Sequence, residues 1–452
     1  MRPQLLLTAV ALAGSPDPAR ADERAPRPLL VDDAILVIDE VAGRVVRVRD
    51  VDGDGAHELV VPRGPHALVV RAFDLVSGRT GATILRLTEF CGDACAPSTW
   101  DAGGDVDADG VPDLVLGYPG HGNERGLVHV VSGRNASLVR ALAGERDFDR
   151  FGAALTFVGD VDGDGRDDAA IGAPGVRPSS RLLPRSAEPP DGYAGGRVVV
   201  VSGADGRALW RKVGDAGDAL GGGLAAIGDL DGDGRTDLAA SARWGRGGPL
   251  RLLSGSDGRT IAKRDIRAGV VLATGDVDCD GAPDLALDLH RDYAKSGRVA
   301  LVSGASGAVL AEYPYPDIMP DFGGPMGVGD IDGDIDGDGV PDLAIGDANY
   351  RLPADAPDVR TLSFARAANL ESRPSSVSWE SGCVVVRSGR TGEVVFGVWA
   401  PRERTIGLGL EVARGPDVDG DGWEDLLVND DARSLVFRVV RSRREPAGAS
   451  RR

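Results

Sequence analysis

The chain has 452 residues, a formal net charge of −19, 65 glycines and 5 % aromatic residues, and 42 % of its residues are hydrophobic. An acidic balance of this size excludes nucleic-acid binding as a first reading, because phosphate recognition needs a basic surface. Abundant glycine with few aromatics excludes a helical bundle, and apolar blocks recurring between fixed glycines exclude disorder.

The N-terminus has the form of an export signal. Arg2 gives a positive start, Leu5 to Ala13 are apolar but too short to span a bilayer, and Ala19-Arg20-Ala21 is an A-x-A cleavage pattern. The expected segments are a signal peptide over 1–21, a repeat domain over 22–440 and a disordered basic tail over 441–452. The expected location is secreted, periplasmic or at the cell surface. Of the four cysteines, Cys91 and Cys95 are spaced for a small local disulfide, whereas Cys279 and Cys383 have no evident pairing.

One pattern, D-x-D-x-D-G-x-x-[D/E] followed by an apolar run, then occurs seven times. In chain order its acidic residues are Asp50, Asp52, Asp54 and Glu58; Asp105, Asp107, Asp109 and Asp113; Asp160, Asp162, Asp164 and Asp168. They continue with Asp229, Asp231, Asp233 and Asp237; Asp276, Asp278, Asp280 and Asp284; Asp334, Asp336, Asp338 and Asp342; and Asp417, Asp419, Asp421 and Asp425. Between successive copies lies an apolar run ending in Ser-Gly, such as Val128 to Gly133 or Val198 to Gly203, and most copies follow a short strand ending in Gly-Asp.

Each period therefore reads as four short strands. Strand one ends at the first aspartate, strand two follows the loop (Asp168 to Gly172), strand three runs to Ser-Gly, and strand four closes a hairpin (Arg207 to Lys212). Seven such units predict an all-β, seven-bladed β-propeller, since one small sheet cannot bury both of its faces alone. The seventh period lacks a fourth strand, and a spare strand within Leu29 to Asp39 is placed to supply it.

The pattern resembles the FG-GAP repeats of the integrin-α head and of exported bacterial proteins. The resemblance is carried best by Phe151-Gly152, the loop Gly159 to Gly165 and Ile171-Gly172-Ala173-Pro174. Other copies are degenerate: Leu220-Gly221 and Leu408-Gly409 replace Phe-Gly, and Gly117-Tyr118-Pro119 replaces Gly-Ala-Pro.

Aspartates at loop positions one, three and five point into one concavity, glycine at six permits the turn, and the acid at nine closes the shell. Such an oxygen-only, adaptable site suits Ca²⁺ better than Zn²⁺ or Mg²⁺, and up to seven ions are expected. The twelfth position is the apolar Val61, Leu116, Ile171, Ala240, Leu287, Ile345 or Val428 where an EF-hand needs glutamate, so that reading fails. Copy five, with Cys279 inside the loop, is the weakest.

Little points to catalysis. His57, His66, His121, His129 and His290 show no metal-protease spacing, and no G-x-S-x-G elbow is present. The expected function is a non-catalytic, calcium-binding adhesion module for a protein or glycan, monomeric, with no nucleic-acid partner and no transmembrane segment; the alternative is a secreted hydrolase or lectin-like enzyme. Antiparallel topology puts the aspartate loops and Ser-Gly turns on one face of the ring. The insertions Gly175 to Gly195 and Asp347 to Gly382 leave from the other face, where Tyr118, Tyr193, Trp244, Tyr350 and Trp379 are candidate recognition residues.

Overall fold

Along Asp168–Ala173 the side chains alternate between two sheet faces. Ala169 and Ile171 pack against Val115, Val128 and Leu155, on the side of the preceding repeat. Ala170 packs with Leu238 and Ala240 of the following one. Both faces are apolar because the strand lies between two other sheets.

The computed structural model describes residues 29–30, 34–64, 70–88, 97–175, 195–242, 248–268, 271–289, 298–314, 328–331, 338–347, 383–399, 408–409, 411–420, 425–430 and 434–437. They form seven sheets. Blade one consists of Val46–Val48, Glu58–Arg63, Ala72–Val76 and Thr83–Thr88. Blade two consists of Thr99–Ala102, Leu114–Tyr118, Leu127–Val131 and Leu138–Ala143, and blade three of Ala154–Gly159, Asp168–Ala173, Arg197–Val201 and Ala208–Val213. Blade four holds Gly223–Ala226, Leu238–Ser241, Leu250–Leu253 and Thr260–Arg264; blade five holds Val271–Thr274, Asp284–Leu289, Arg298–Val302 and Val309–Pro314. Blade six is Val328–Ile331, Asp342–Asp347, Cys383–Arg387 and Val394–Trp399, and blade seven is Glu411–Arg414, Leu426–Asn429 and Ser434–Phe437. The architecture is the all-β seven-bladed propeller.

The fourth position of blade seven is taken by Leu36–Ile38, antiparallel to the last described strand, with Leu36 opposite Val436 and Ile38 opposite Ser434. Just before it, Leu29–Leu30 runs parallel to the outer strand of blade six, a fifth strand that the repeat pattern does not foretell. Ile38, Val41, Leu59, Val61, Leu427 and Val436 share one core cluster, so blade seven packs directly on blade one and the ring is closed. The segments read as signal peptide and basic tail lie outside the described residues.

The Phe-Gly and Gly-Ala-Pro halves of the repeat meet across blades. Gly172, on strand two of blade three, lies against the backbone of Gly221, at the entry to blade four. A Cβ on Gly172 would stand 2.0 Å from the Gly221 carbonyl oxygen. Gly117 meets Gly152, and Gly346 meets Gly409, in the same way, at 2.3 and 2.2 Å. The motif is thus a backbone crossing between neighbouring blades, closer than any side chain allows.

Candidate metal centre

The nine-residue loop between strands one and two folds around its own carboxylates. In copy three, Oδ1 of Asp160 accepts the N–H groups of Gly163 (2.6 Å) and Asp164 (3.0 Å), and Oδ2 accepts that of Gly165 (2.9 Å). Position five folds back on the chain, Asp164 Oδ1 accepting the N–H of Arg166 at 3.0 Å. Copies two, four and five repeat the bond from the position-six glycine to the first aspartate.

Position nine is the fixed point. Asp168 is fully buried, its Oδ2 accepting the N–H of Val161 at 2.9 Å and its Oδ1 that of Gly203 at 2.9 Å. Gly203 closes the Ser-Gly element, so a single carboxylate ties the aspartate loop to the hairpin between strands three and four. Asp113 with Gly133, Asp237 with Gly255, Asp284 with Gly304 and Asp342 with Gly389 do the same. These glycines also lie on the carbonyl of loop position eight: a Cβ on Gly133 would stand 1.8 Å from the oxygen of Pro112, and one on Gly203 2.2 Å from that of Asp167. Nothing in the sequence pattern alone explains the Ser-Gly signature; this contact does.

Five groups of carboxylates are brought together with ligand atoms all within 4.8 Å: Asp50, Asp52, Asp54 and Glu58; Asp105, Asp107 and Asp113; Asp160, Asp162 and Asp168; Asp229, Asp231 and Asp237; Asp276, Asp278 and Asp284. Positions one, three and nine converge in every one, whereas Asp109, Asp164, Asp233 and Asp280 at position five stand outside the group. Their outer oxygens meet the hairpin serine in three blades: Ser202 reaches Asp164 at 3.3 Å, Ser254 reaches Asp233 at 3.5 Å and Ser303 reaches Asp280 at 3.1 Å. Copy five gathers the same three carboxylates as its neighbours, and Cys279 takes the left-handed φ of +59° that glycine holds in copies one, three and four. Asp334, Asp336 and Asp421 lie outside the described residues; Asp338, Asp342, Asp417, Asp419 and Asp425 lie within them.

The donor chemistry fits a hard cation. Every group offers carboxylate oxygen alone. Burial pushes Asp113 up to about 6, with the charge of Asp107 adding to the effect, and burial beside Asp162 does the same to Asp168. Glu58, Asp237 and Asp284 are raised by burial too. A divalent ion would relieve that crowding. Partial relief is built in, since hairpin arginines stand against loop carboxylates: Arg134 on Asp109 (2.6 Å), Arg207 on Asp162 (2.9 Å) and Arg259 on Asp231 (2.6 Å).

The opposite face differs from expectation at one residue. Tyr118 is only 3 % exposed and packs edge-on against His129, with ring centroids 5.1 Å apart, inside the core between blades one and two. It is a core residue and not a recognition residue, because strand two turns it inward before the connection begins. Tyr193, Trp244, Tyr350 and Trp379 lie outside the described residues. His121 is exposed, in a connection where Asn123 and Glu124 hold positive φ. This connection is zipped to the one leading into blade three: Arg125 meets Asp147 at 2.8 Å, and Arg150 N–H donates to Glu124 O at 2.7 Å. Behind it, partly buried Arg197 pairs with Asp149 at 2.7 Å, and buried Arg251 pairs with Asp218 at the matching place in blade four. Cys279 is exposed and Cys383 is buried.

The FG-GAP repeat family model matches residues 99–131 and 151–201. Integrin alpha-8 of Gallus gallus is 32 % identical over 151 residues, covering 30 % of this chain and 14 % of that protein. Integrin alpha-V of Gallus gallus is 29 % identical over 144 residues (31 % and 13 %), and Integrin alpha-PS2 of Drosophila melanogaster is 32 % identical over 171 (33 % and 11 %). The matches thus span a small part of these relatives' length. Among solved structures, the crystal structure of BBS1N in complex with ARL6DN is similar with a TM-score of 0.52 at 10 % identity, over 90 % of this chain and 98 % of that one, a likeness of fold alone. The chain is a seven-bladed β-propeller whose residues 99–131 and 151–201 match the FG-GAP repeat and which is similar in part to integrin α subunits.

Proposed function

We propose that the protein is a calcium-stabilised, non-catalytic binding or adhesion module working outside the cytoplasm, with a protein or glycan ligand on the face opposite the aspartate loops. The observation that carries the calcium reading is the convergence of positions one, three and nine in five successive loops. In each loop the first and third aspartates and the buried ninth acid would hold the ion. When bound it would supply positive charge where burial disfavours the ninth carboxylate's own charge. Asp109, Asp164, Asp233 and Asp280 stand close enough in sequence to reach the same ion from position five. The loops then serve the scaffold, which leaves recognition to the other face.

That face has the connections that differ most between blades. Ala173 and Arg197 are cross-strand neighbours at the end away from Asp168, as are Asp347 and Cys383 in blade six, so both long insertions leave the ring there. Among the described residues no helix is long and apolar enough to cross a membrane. Similarity to integrin α subunits supports adhesion as the class of activity.

Two measurements test the reading. Chelation should lower the melting temperature by many degrees, since each site filled at ten to a hundred times its Kd adds about 1.4–2.7 kcal/mol. A melt unchanged in chelator, with no calcium in the purified protein, would refute it. A glycan and surface-protein array probed with the calcium-loaded chain should give a specific binder; turnover in a hydrolase screen would favour the enzymatic alternative instead.

A further inference from the structure

Residues of one aspartate loop that are not ligands reach the backbone of the first aspartate in the preceding loop. In copy three, Asp167 occupies position eight, next to the buried Asp168. Its Oδ2 accepts the backbone N–H of Asp105, the first residue of loop two, at 2.8 Å. The N–H of Asp167 donates in return to the carbonyl of Asp105 at 3.2 Å. Arg166, at position seven, donates from Nη1 to the carbonyl of Val106 at 2.8 Å. Three hydrogen bonds thus hold the peptide that sets the direction of Asp105, whose carboxylate also accepts the N–H groups of Asp109 (3.0 Å) and Gly110 (2.9 Å). On the next junction Arg235, again at position seven, donates to the carbonyl of Asp160. Position eight is His57, Pro112, Thr236, Pro283 and Pro341 in copies one, two, four, five and six, none of which carries a carboxylate, and Glu424 in copy seven, which lies outside the described residues.

We propose that Asp167 and Arg166 are positioning residues for the cation site of loop two, so that loops two and three bind calcium as a coupled pair; this rests on the calcium reading above. The route is short and made of named bonds. Closing loop three fixes Asp168, Asp168 fixes the adjoining Asp167 backbone, and Asp167 fixes the peptide of Asp105. Coupling of this kind is reciprocal, so emptying either loop must weaken the other by the same factor.

The test titrates Ca²⁺ alone into the chelator-stripped full chain by calorimetry, with bound ions counted by native mass spectrometry. Asp167→Ala should leave the ion count unchanged and weaken one site by roughly tenfold, the scale of one charge-assisted hydrogen bond. Asp167→Asn, which keeps the size and one acceptor, should fall between, and it guards against a folding defect. In an Asp107→Ala background, where loop two is already disabled, Asp167→Ala should change nothing further. Amide exchange at Asp105, measured in chelator, should quicken in Asp167→Ala. An unaltered titration for Asp167→Ala, or an equal weakening in the Asp107→Ala background, overturns the coupling while leaving the calcium reading intact. A wild-type chain that takes up no calcium overturns the calcium reading, and the coupling with it.

Discussion

Asp168→Asn separates the two roles of position nine. The asparagine has nearly the shape of the aspartate but only one acceptor oxygen, while three backbone donors converge there: Val161 at 2.9 Å, Asp162 at 3.3 Å and Gly203 at 2.9 Å. Its NH₂ must face either Gly203 or the Val161–Asp162 pair. The site is fully buried, so water does not rescue the orphaned donor. An unsatisfied buried N–H costs about 1–3 kcal/mol. Removing a carboxylate that burial has pushed up to about 6 offsets part of this. The expected net loss is about 2 kcal/mol in chelator. In calcium the loss should grow to about 4 kcal/mol, because the stabilisation from one filled site goes as well. Denaturant unfolding in both buffers reads the two numbers, and hydrogen exchange assigns the loosening to residues 159–173 and Gly203. Equal losses in both buffers would refute a role at the cation. No loss in chelator would refute the hydrogen-bond account.

Gly172→Ala should force blades three and four apart at the Gly221 backbone and destabilise by at least about 2 kcal/mol, read as a lower melting temperature without loss of calcium. Asp74 is fully buried between Arg86 and Arg63; burial alone would raise its carboxyl, but the two guanidinium groups outweigh that and hold it below the ordinary range. A value depressed by folding contributes stability that is present above the ordinary carboxylate range and lost as pH falls below about 4. Asp74→Asn should therefore lower stability at pH 7 and flatten the acid limb of a stability–pH profile. Deleting residues 22–40 removes the outer strand of blade seven and should give a less stable chain that associates through the bared edge; a stable monomer would contradict the pairing of Leu36–Ile38 with Ser434–Phe437.

What could be read from the sequence was local. Alternating aspartates with a glycine after the fifth position are a short-range pattern, and period-two apolar runs on either side give the strands, so loop and blade were legible together. The partner of the Ser-Gly glycine was not, because the carbonyl of Asp167 stands in the aspartate loop, on a different connection, and no spacing rule links it to Gly203. The same holds for Asp167 and Asp105, which lie 62 residues apart. Tyr118 was misplaced because it ends a strand: at that position one residue more or less decides between the core and a surface loop. The parallel strand Leu29–Leu30 is too short to leave a pattern at all.

The seam between blades seven and one also sets a timetable for synthesis. The side chain of Asn429 donates to the carbonyl of Gly43 across 386 residues, and Ile38 sits opposite Ser434. At about 5–20 residues per second, a ribosome takes roughly 20–80 s to deliver the far partner after the near one. For all that time Leu36–Ile38 has no Ser434–Phe437 to pair with, and the last blade to be made is the one that takes up one of the earliest strands.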